Sequence, residues 1–296
     1  MRTVLTHFWN EELLLPYWIS HHRRLFDYGI LIDNGSTDRS AQICRELAPD
    51  WLVLPSKFPD FDSILMDHEV MQYESCLRGF KICLNVSEFL LTAKPLEQIE
   101  TDLIRESNGG PTGKFTSAAI MVDTCPSDPP FNERVPLFLQ KSTGILETPD
   151  NKELRASLEL PLLSRGRFYH NFPIGGYRPG RHSSEFSQGG PPCSDLLVLW
   201  FGYSPWSQPF IDRKLAIGPR VSDVDRRFSR GWHHTNETRE LLVARQNRMA
   251  NHSAPLLLLP QFQFALDDFL STKPYGSKRE ASNRSAKAIQ TTATVQ

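Results

Sequence analysis

The sequence predicts an α/β protein, a mostly parallel sheet flanked by helices, followed by an irregular C-terminal half. Two observations predict it. Over the first hundred residues, short apolar runs alternate with stretches whose apolar residues recur at helical spacing. Several of these runs end in polar or turn-forming residues, so the strand ends make one polar rim. A chain of 296 residues can bury one substantial core, or a main domain with a small appendage.

Thr3 to Phe8 reads as the first strand. Glu11 to Phe26 carries Leu14, Leu15, Trp18, Ile19 and Leu25 at helical spacing and reads as a helix. Tyr28 to Asp33 is an apolar strand closed by the turn signal Asn34-Gly35. Ser36-Thr37-Asp38 can cap a helix running to Ala48, with Ile43 and Leu47 on its apolar face. Trp51 to Leu54 is a third strand, Pro55 to Phe61 a loop, and Asp62 or Ser63 the cap of a helix to Gly79. Lys81 to Leu84 is a fourth strand and Leu96 to Arg105 a helix. Beyond Asn108 the pattern loosens: a strand at Lys114 to Val122, a proline-rich stretch at Thr124 to Pro136, and a Gly-, Pro- and His-rich stretch at Tyr169 to Pro192. A strand at Leu196 to Phe201 and helices at Pro209 to Ile217 and Glu237 to Met249 follow. Residues 1–270 are expected to form one domain, divided near residue 107, with a polar, unstructured tail over 271–296.

Hydrophobic residues make up 40% and charged residues 23%, as in ordinary globular proteins. The net charge of −1 gives the whole molecule no electrostatic reason to seek nucleic acid or an anionic membrane. The most apolar run, Ala254 to Leu259, is far shorter than the roughly 20 residues of a membrane span. The first residues carry one arginine and are interrupted by His7 and Asn10-Glu11-Glu12, which argues against a secretory signal. Five cysteines without a C-x-x-C pair read as free thiols in a reducing, cytoplasmic setting.

In an open parallel sheet, ligands bind beyond the carboxyl ends of the strands. Asn10-Glu11-Glu12, Asp33-Asn34-Gly35-Ser36-Thr37-Asp38 and Asn85-Val86-Ser87-Glu88 occupy such ends here. Asp67 reads as part of a solvated helix face, while Glu69, Tyr73 and Glu74 could reach a pocket. In the second half, Tyr177 to Ser184 places Arg178, Arg181 and His182 in a Gly/Pro loop, where arginine suits a diphosphate. His182 fits a metal ligand, a proton-transfer group, or equally an ordinary loop histidine. The aromatic segment Leu199 to Trp206, followed by Arg213-Lys214, fits sugar stacking or simple core filling. Of His233 and His234, at most one is expected to matter.

The run Leu31-Ile32-Asp33-Asn34-Gly35-Ser36-Thr37-Asp38 resembles the acidic strand end and D/N-G-S-T-D loop of family-2 glycosyltransferases. Asn10-Glu11, Leu15-Pro16-Tyr17-Trp18 and His21-His22 resemble the opening of the same group. The likeness is best over residues 3–91. It implies a GT-A, Rossmann-like fold, with residues 1–107 as nucleotide-binding half and 108–270 as acceptor side. It further implies a nucleotide-diphosphate sugar donor, a saccharide or glycoconjugate acceptor, and a role in polysaccharide or glycoconjugate synthesis. In that setting Asp33 would take a base imide or ribose hydroxyl, with Asn10, Glu11, Asn34, Asn85, Arg181 and His182 as further donor contacts. Gly35 would allow close backbone approach.

The wider superfamily commonly carries D-x-D, often followed by E-F, to hold Mn²⁺ or Mg²⁺ on the diphosphate. This chain reads Asn85-Val86-Ser87-Glu88-Phe89, with neutral residues in both aspartate places. Three readings stay open: Glu88 and another residue such as His182 hold a metal, cationic groups replace it, or catalysis has been lost. For the base that takes the acceptor proton, Asp123 is the first candidate and Glu88 the second. The runner-up function is a GT-A-like binding or interaction protein without transfer. A dehydrogenase or methyltransferase is disfavoured by the missing G-x-G-x-x-G after the first strand.

Overall fold

The structure, a computed structural model, describes residues 1–124, 132, 134–147, 156, 165–187 and 189–271. In the first half the elements are β1 (Arg2–Phe8), α1 (Leu15–His22), β2 (Tyr28–Asp33), α2 (Ser40–Leu47), β3 (Leu52–Pro55), α3 (Ser63–Glu74), β4 (Phe80–Cys83), β5 (Glu88–Thr92) and α4 (Leu96–Glu106). The second half adds β6 (Gly113–Val122), α5 (Leu137–Gln140), β7 (Thr143–Glu147), β8 (Phe168–His170), β9 (Cys193–Tyr203) and α6 (Gln208–Leu215). Then come α7 (Asp223–Arg227), α8 (Trp232–Thr235), α9 (Arg239–Ala250), β10 (Ala254–Pro255) and α10 (Pro260–Ser271).

Four strands run parallel in the order β3-β2-β1-β4. This is the expected α/β core, and its side chains alternate between two apolar layers with the period of a strand. Val4, Phe8, Leu31, Ile82 and Leu84 face a layer completed by Trp18, Ile43, Ile99 and Phe262 of α1, α2, α4 and α10. Leu5, Ile30, Ile32 and Cys83 face the other, against Val70 of α3, Phe168 and Tyr177. Gly29 in β2 is obligatory for space, because a Cβ there would fall into the Trp51 ring.

Past β4 the sheet changes character. β8 is antiparallel to both β4 and β6, β7 is antiparallel to β6, and β9 lies parallel to β6 and antiparallel to β5. The irregular second half expected from composition is therefore an extension of the same sheet, with Ile120, Val122, Ile145, Tyr203, Ile211, Leu242 and Met249 as a separate core under α6 and α9.

The helix after β3 and the strand after β4 differ from expectation. The helix expected over 63–79 starts on Asp62, whose Oδ1 accepts from the N–H groups of Ile64 and Leu65, but ends at Glu74. Gly79 then adopts φ +85° with its α-carbon against the Met1 carbonyl, where no side chain fits. Strand β5 was not expected, because Glu88 to Thr92 is a short, continuous buried run with no alternation to mark it. Among the described residues, only β9 pairs with β5; on its other edge, side chains of α1 serve the backbone. Trp18 Nε1 donates to the Glu88 carbonyl at 2.9 Å, His21 Nε2 donates to the Leu90 carbonyl at 2.7 Å, and the Leu90 N–H donates to His22 Nε2 at 3.3 Å. The spacing i, i+3, i+4 puts all three rings on one helix face.

The proline-rich stretch at 124–136 lies mostly outside the described residues, as does the expected tail from residue 272 on. Among the described residues, no helix is long and apolar enough to cross a membrane. Cys44, Cys76, Cys83 and Cys193 are unpaired.

Candidate functional site

The strand order places β2 and β4 on opposite sides of β1, so the chain reverses its direction of winding there. Such a switch point opens a crevice beyond the carboxyl ends of the strands. The segments after β1, β2 and β4 meet at this edge.

After β1, Asn10 takes a left-handed conformation (φ 49°) that asparagine tolerates. Its Oδ1 accepts the Thr37 N–H at 2.8 Å and its backbone N–H donates to Ser36 Oγ at 3.1 Å, so the first two loops are tied together. The Glu11 N–H donates to Ser40 Oγ at 2.7 Å, and its buried carboxylate accepts from Arg213. At the end of β2, Asp33 Oδ1 accepts the Ser36 N–H at 2.8 Å, and among the described residues nothing donates to Oδ2. Asn34 is buried: its amide donates to the Phe58 carbonyl at 2.6 Å and its Oδ1 accepts from Arg220 at 2.8 Å. Arg220 in turn lies 4.3 Å over the Trp9 ring, walling this end of the crevice. Of the residues expected here, Asp33 thus keeps an open acceptor, whereas Asn10 and Asn34 spend their amides on the loops.

The end of β4 is built around a buried charge network. Glu88, 1% exposed, accepts from Arg167 Nη2 at 2.6 Å and Arg167 Nε at 2.8 Å, while the Asn85 N–H donates to Glu88 Oε2 at 2.8 Å. Arg167 Nη1 also donates to the Gly180 carbonyl at 2.7 Å and lies 3.3 Å from His182 Nδ1. Arg181 bridges the Asn85 side-chain oxygen, at 2.9 Å, and Asp67, at 2.5 Å. Asp67 is not on a solvated face: it is buried, and its second oxygen accepts the Gly180 N–H at 2.8 Å. Seven residues along α3, Glu74 accepts the Gly175 N–H at 2.6 Å and the Tyr177 hydroxyl at 2.7 Å. One helix face therefore fastens the 165–187 segment over the sheet. Glu69 faces β1, where His7 Nε2 donates to it at 2.9 Å. Burial pushes the His7 imidazole down, against the opposing pull of Glu69.

Asp123, expected as the base, closes β6 onto the end of β9. Its Oδ1 accepts the Ser204 hydroxyl at 2.6 Å, and its Oδ2 accepts the Trp206 N–H at 2.7 Å and Lys141 Nζ at 3.3 Å. Nearby, the aromatic segment carries cations. The Arg165 guanidinium stacks 3.3 Å over Trp200, and Lys214 Nζ donates to the Gly202 carbonyl at 2.7 Å, 4.5 Å from the Tyr203 ring centre. Burial pushes the Lys214 ammonium down to about 7, with Arg165 and Arg213 adding repulsion. Trp200 is paired directly with Glu88 across β5 and β9, which brings these cations to the β4–β5 turn.

The donors at Asn85-Val86-Ser87-Glu88 do not fit a hard divalent cation. The Asn85 amide oxygen is taken by Arg181, and both Glu88 oxygens are taken by Arg167 and Asn85. Among the described residues, no three His, Cys, Asp or Glu side chains gather where they could hold a metal ion. Arg165, Arg167 and Arg220 escaped the sequence reading. They lie in no recognisable motif, and only the need of Glu88 for a buried counter-charge hints at Arg167.

No family model matches the chain, and no curated protein sequence matches it. Solved structures do. S. aureus TarS 1-349 in complex with UDP-GlcNAc is 14% identical over 44% of this chain and 37% of that one, with a TM-score of 0.28. Glucosyl-3-phosphoglycerate synthase from Mycobacterium tuberculosis, in complex with Mn²⁺, UDP and glucosyl-3-phosphoglycerate, is 14% identical over 61% of each chain, TM-score 0.33. A mycobacterial protein is 13% identical over 68% of this chain and 64% of that one, TM-score 0.35. The chain spans less than two thirds of each of these proteins. The fold assignment rests on the strand order itself.

Proposed function

We propose that the chain is a glycosyltransferase of the GT-A kind, moving a sugar from a nucleotide-diphosphate sugar to a saccharide or glycoconjugate acceptor. The observation that carries this reading is the switch point between β1 and β4, with Asp33 at the neighbouring strand end holding one carboxylate oxygen open. In this reading Asp33 binds the base or ribose, and Glu11, Arg181 and His182 line the donor side. Of the two candidate bases, Asp123 needs only the Ser204 hydroxyl to turn away to free Oδ1, whereas Glu88 would have to leave a bidentate guanidinium. Asp123 is therefore the base we assign. The unpaired cysteines suit a cytoplasmic setting.

Binding without transfer is the second reading, favoured by one observation: Glu88 is closed by Arg167. A panel of UDP-, GDP-, dTDP- and CMP-sugars, assayed for binding and for sugar release with Mn²⁺, Mg²⁺ or EDTA, tests both. Donor binding that is lost in Asp33→Ala, together with sugar release by the wild type, supports the transferase. Binding with no release under any condition selects the second reading, and no binding to any donor overturns both.

A further inference from the structure

We propose that Arg165 and Lys214, gathered around Trp200 and Tyr203, form with the adjoining Arg213 an anion subsite that holds the donor diphosphate by side-chain charge in place of a divalent metal. This rests on the glycosyltransferase reading for the identity of the ligand, but the subsite itself rests on four observations.

First, the cations converge. Arg165 stacks on Trp200 at 3.3 Å, Lys214 Nζ lies 5.2 Å from the same ring and 4.5 Å from that of Tyr203, and Arg213 adjoins Lys214 in α6. Arg165 and Arg213 are close enough to repel the Lys214 charge. Second, they are under-neutralised. Among the described residues, no carboxylate hydrogen-bonds the Arg165 guanidinium or the Lys214 ammonium; the Lys214 partner is a carbonyl. Glu88, the nearest motif carboxylate, is consumed by Arg167, and Glu147 accepts the backbone N–H of Arg165. Arg213 pairs with Glu11, yet among the described residues its buried Nε has no hydrogen-bond partner. Three half-buried cations held together with one carboxylate among them are costly unless a further anion joins them.

Third, the place is right. Arg213 reaches Glu11 beyond β1, while Trp200 stands beside Glu88 at the altered motif, so the cluster spans the two sides of the crevice. Fourth, the charge matches. Below about pH 7, where Lys214 is protonated, the two cations without a carboxylate partner supply the same two positive charges that a divalent ion would bring. Neutral Asn85 and Ser87, where the resemblance implies carboxylates, and the presence of these cations are then one exchange. Guanidinium and ammonium groups in a partly desolvated site bind phosphate oxygens strongly.

Isothermal titration of the full chain in EDTA, with inorganic pyrophosphate and with UDP, GDP and dTDP, tests the proposal. Pyrophosphate is expected to bind without added metal, and Lys214→Met and Arg165→Gln are each expected to weaken it about ten- to a hundredfold, the range for a charged hydrogen bond. At pH 6, where Lys214 is charged, Lys214→Arg is expected to stay near wild type; an equal loss there would trace the effect to packing and overturn the proposal. Unchanged binding in Lys214→Met and Arg165→Gln, or binding only on addition of Mn²⁺, would overturn it too. The two readings separate cleanly. Nucleoside diphosphates that bind these variants normally would sink the subsite and leave the transferase standing. Pyrophosphate binding through Lys214 with no preference for any nucleoside diphosphate would keep the subsite and sink the transferase.

Discussion

Arg167 closes on Glu88 with two nitrogens, at 2.6 and 2.8 Å, across 79 residues of sequence and almost out of contact with water. The pair joins the turn after β4 to the 165–187 segment, which carries Gly180, Arg181 and His182 to the strand ends.

Removing either partner leaves a buried charge without its counterpart, which costs about 3–5 kcal/mol. Glu88→Gln and Arg167→Met are each expected to lower stability by that order, read from the midpoint of urea unfolding. The double variant Glu88→Gln/Arg167→Met is expected to lose less than the sum of the two. Additive losses would show that the two side chains do not act as a pair.

Acid is expected to unfold the protein partly through α1. Burial pushes the His21 imidazole down to about 4 from an ordinary value of 6.5. The folded chain keeps His21 neutral where the unfolded chain protonates it, so its stabilising share is present above about pH 6.5 and is lost as pH falls toward 4. At 1.36 kcal/mol per pH unit the loss is about 3 kcal/mol. His22, held still further below 6.5 by burial and by His21, acts in the same direction. Replacing His21 by Gln is expected to flatten the stability profile between pH 6.5 and 4; an unchanged slope would place the acid sensitivity elsewhere.

Anion binding at the proposed subsite is expected to weaken as pH rises. Lys214 titrates near 7, faced by Arg165, Arg213 and Arg245, which repel its charge, by Glu237, which favours it, and by the Tyr203 ring. Below about pH 7 the ammonium is present; above it, binding an anion requires proton uptake, and affinity falls by up to about tenfold per pH unit. Pyrophosphate changes its own charge over this range, so the reading is the difference between wild type and Lys214→Arg. That difference should vanish at pH 6 and grow toward pH 9; parallel profiles would exclude Lys214 as the titrating group.

The motif residues show how far local sequence goes. Asp33 and the Asn34-Gly35 turn were legible because an apolar strand followed by turn chemistry is a local pattern. Trp18, His21 and His22 were legible as a motif, but their task was not. They read as the opening of the family pattern, with Trp18 at an apolar helix position, whereas the rings hydrogen-bond to the backbone of β5, a strand whose uniform apolar run hides its type. Asp67 was misplaced for a related reason. A carboxylate on a helix looks solvated until Arg181, 114 residues later, is known to lie against it.

What the sequence determined alone was therefore the α/β class, the strand–helix order of the first half and the polar strand ends, since backbone periodicity and turn chemistry act over a few residues. The tertiary structure decided which polar groups remain open. Among the described residues, Asp33 keeps a free oxygen while Glu88 and Asp123 do not, and Arg165 and Lys214 meet at the Trp200 ring. Hydrogen bonding and charge depend on distance in space, and residues far apart along the chain become neighbours only once the sheet has folded.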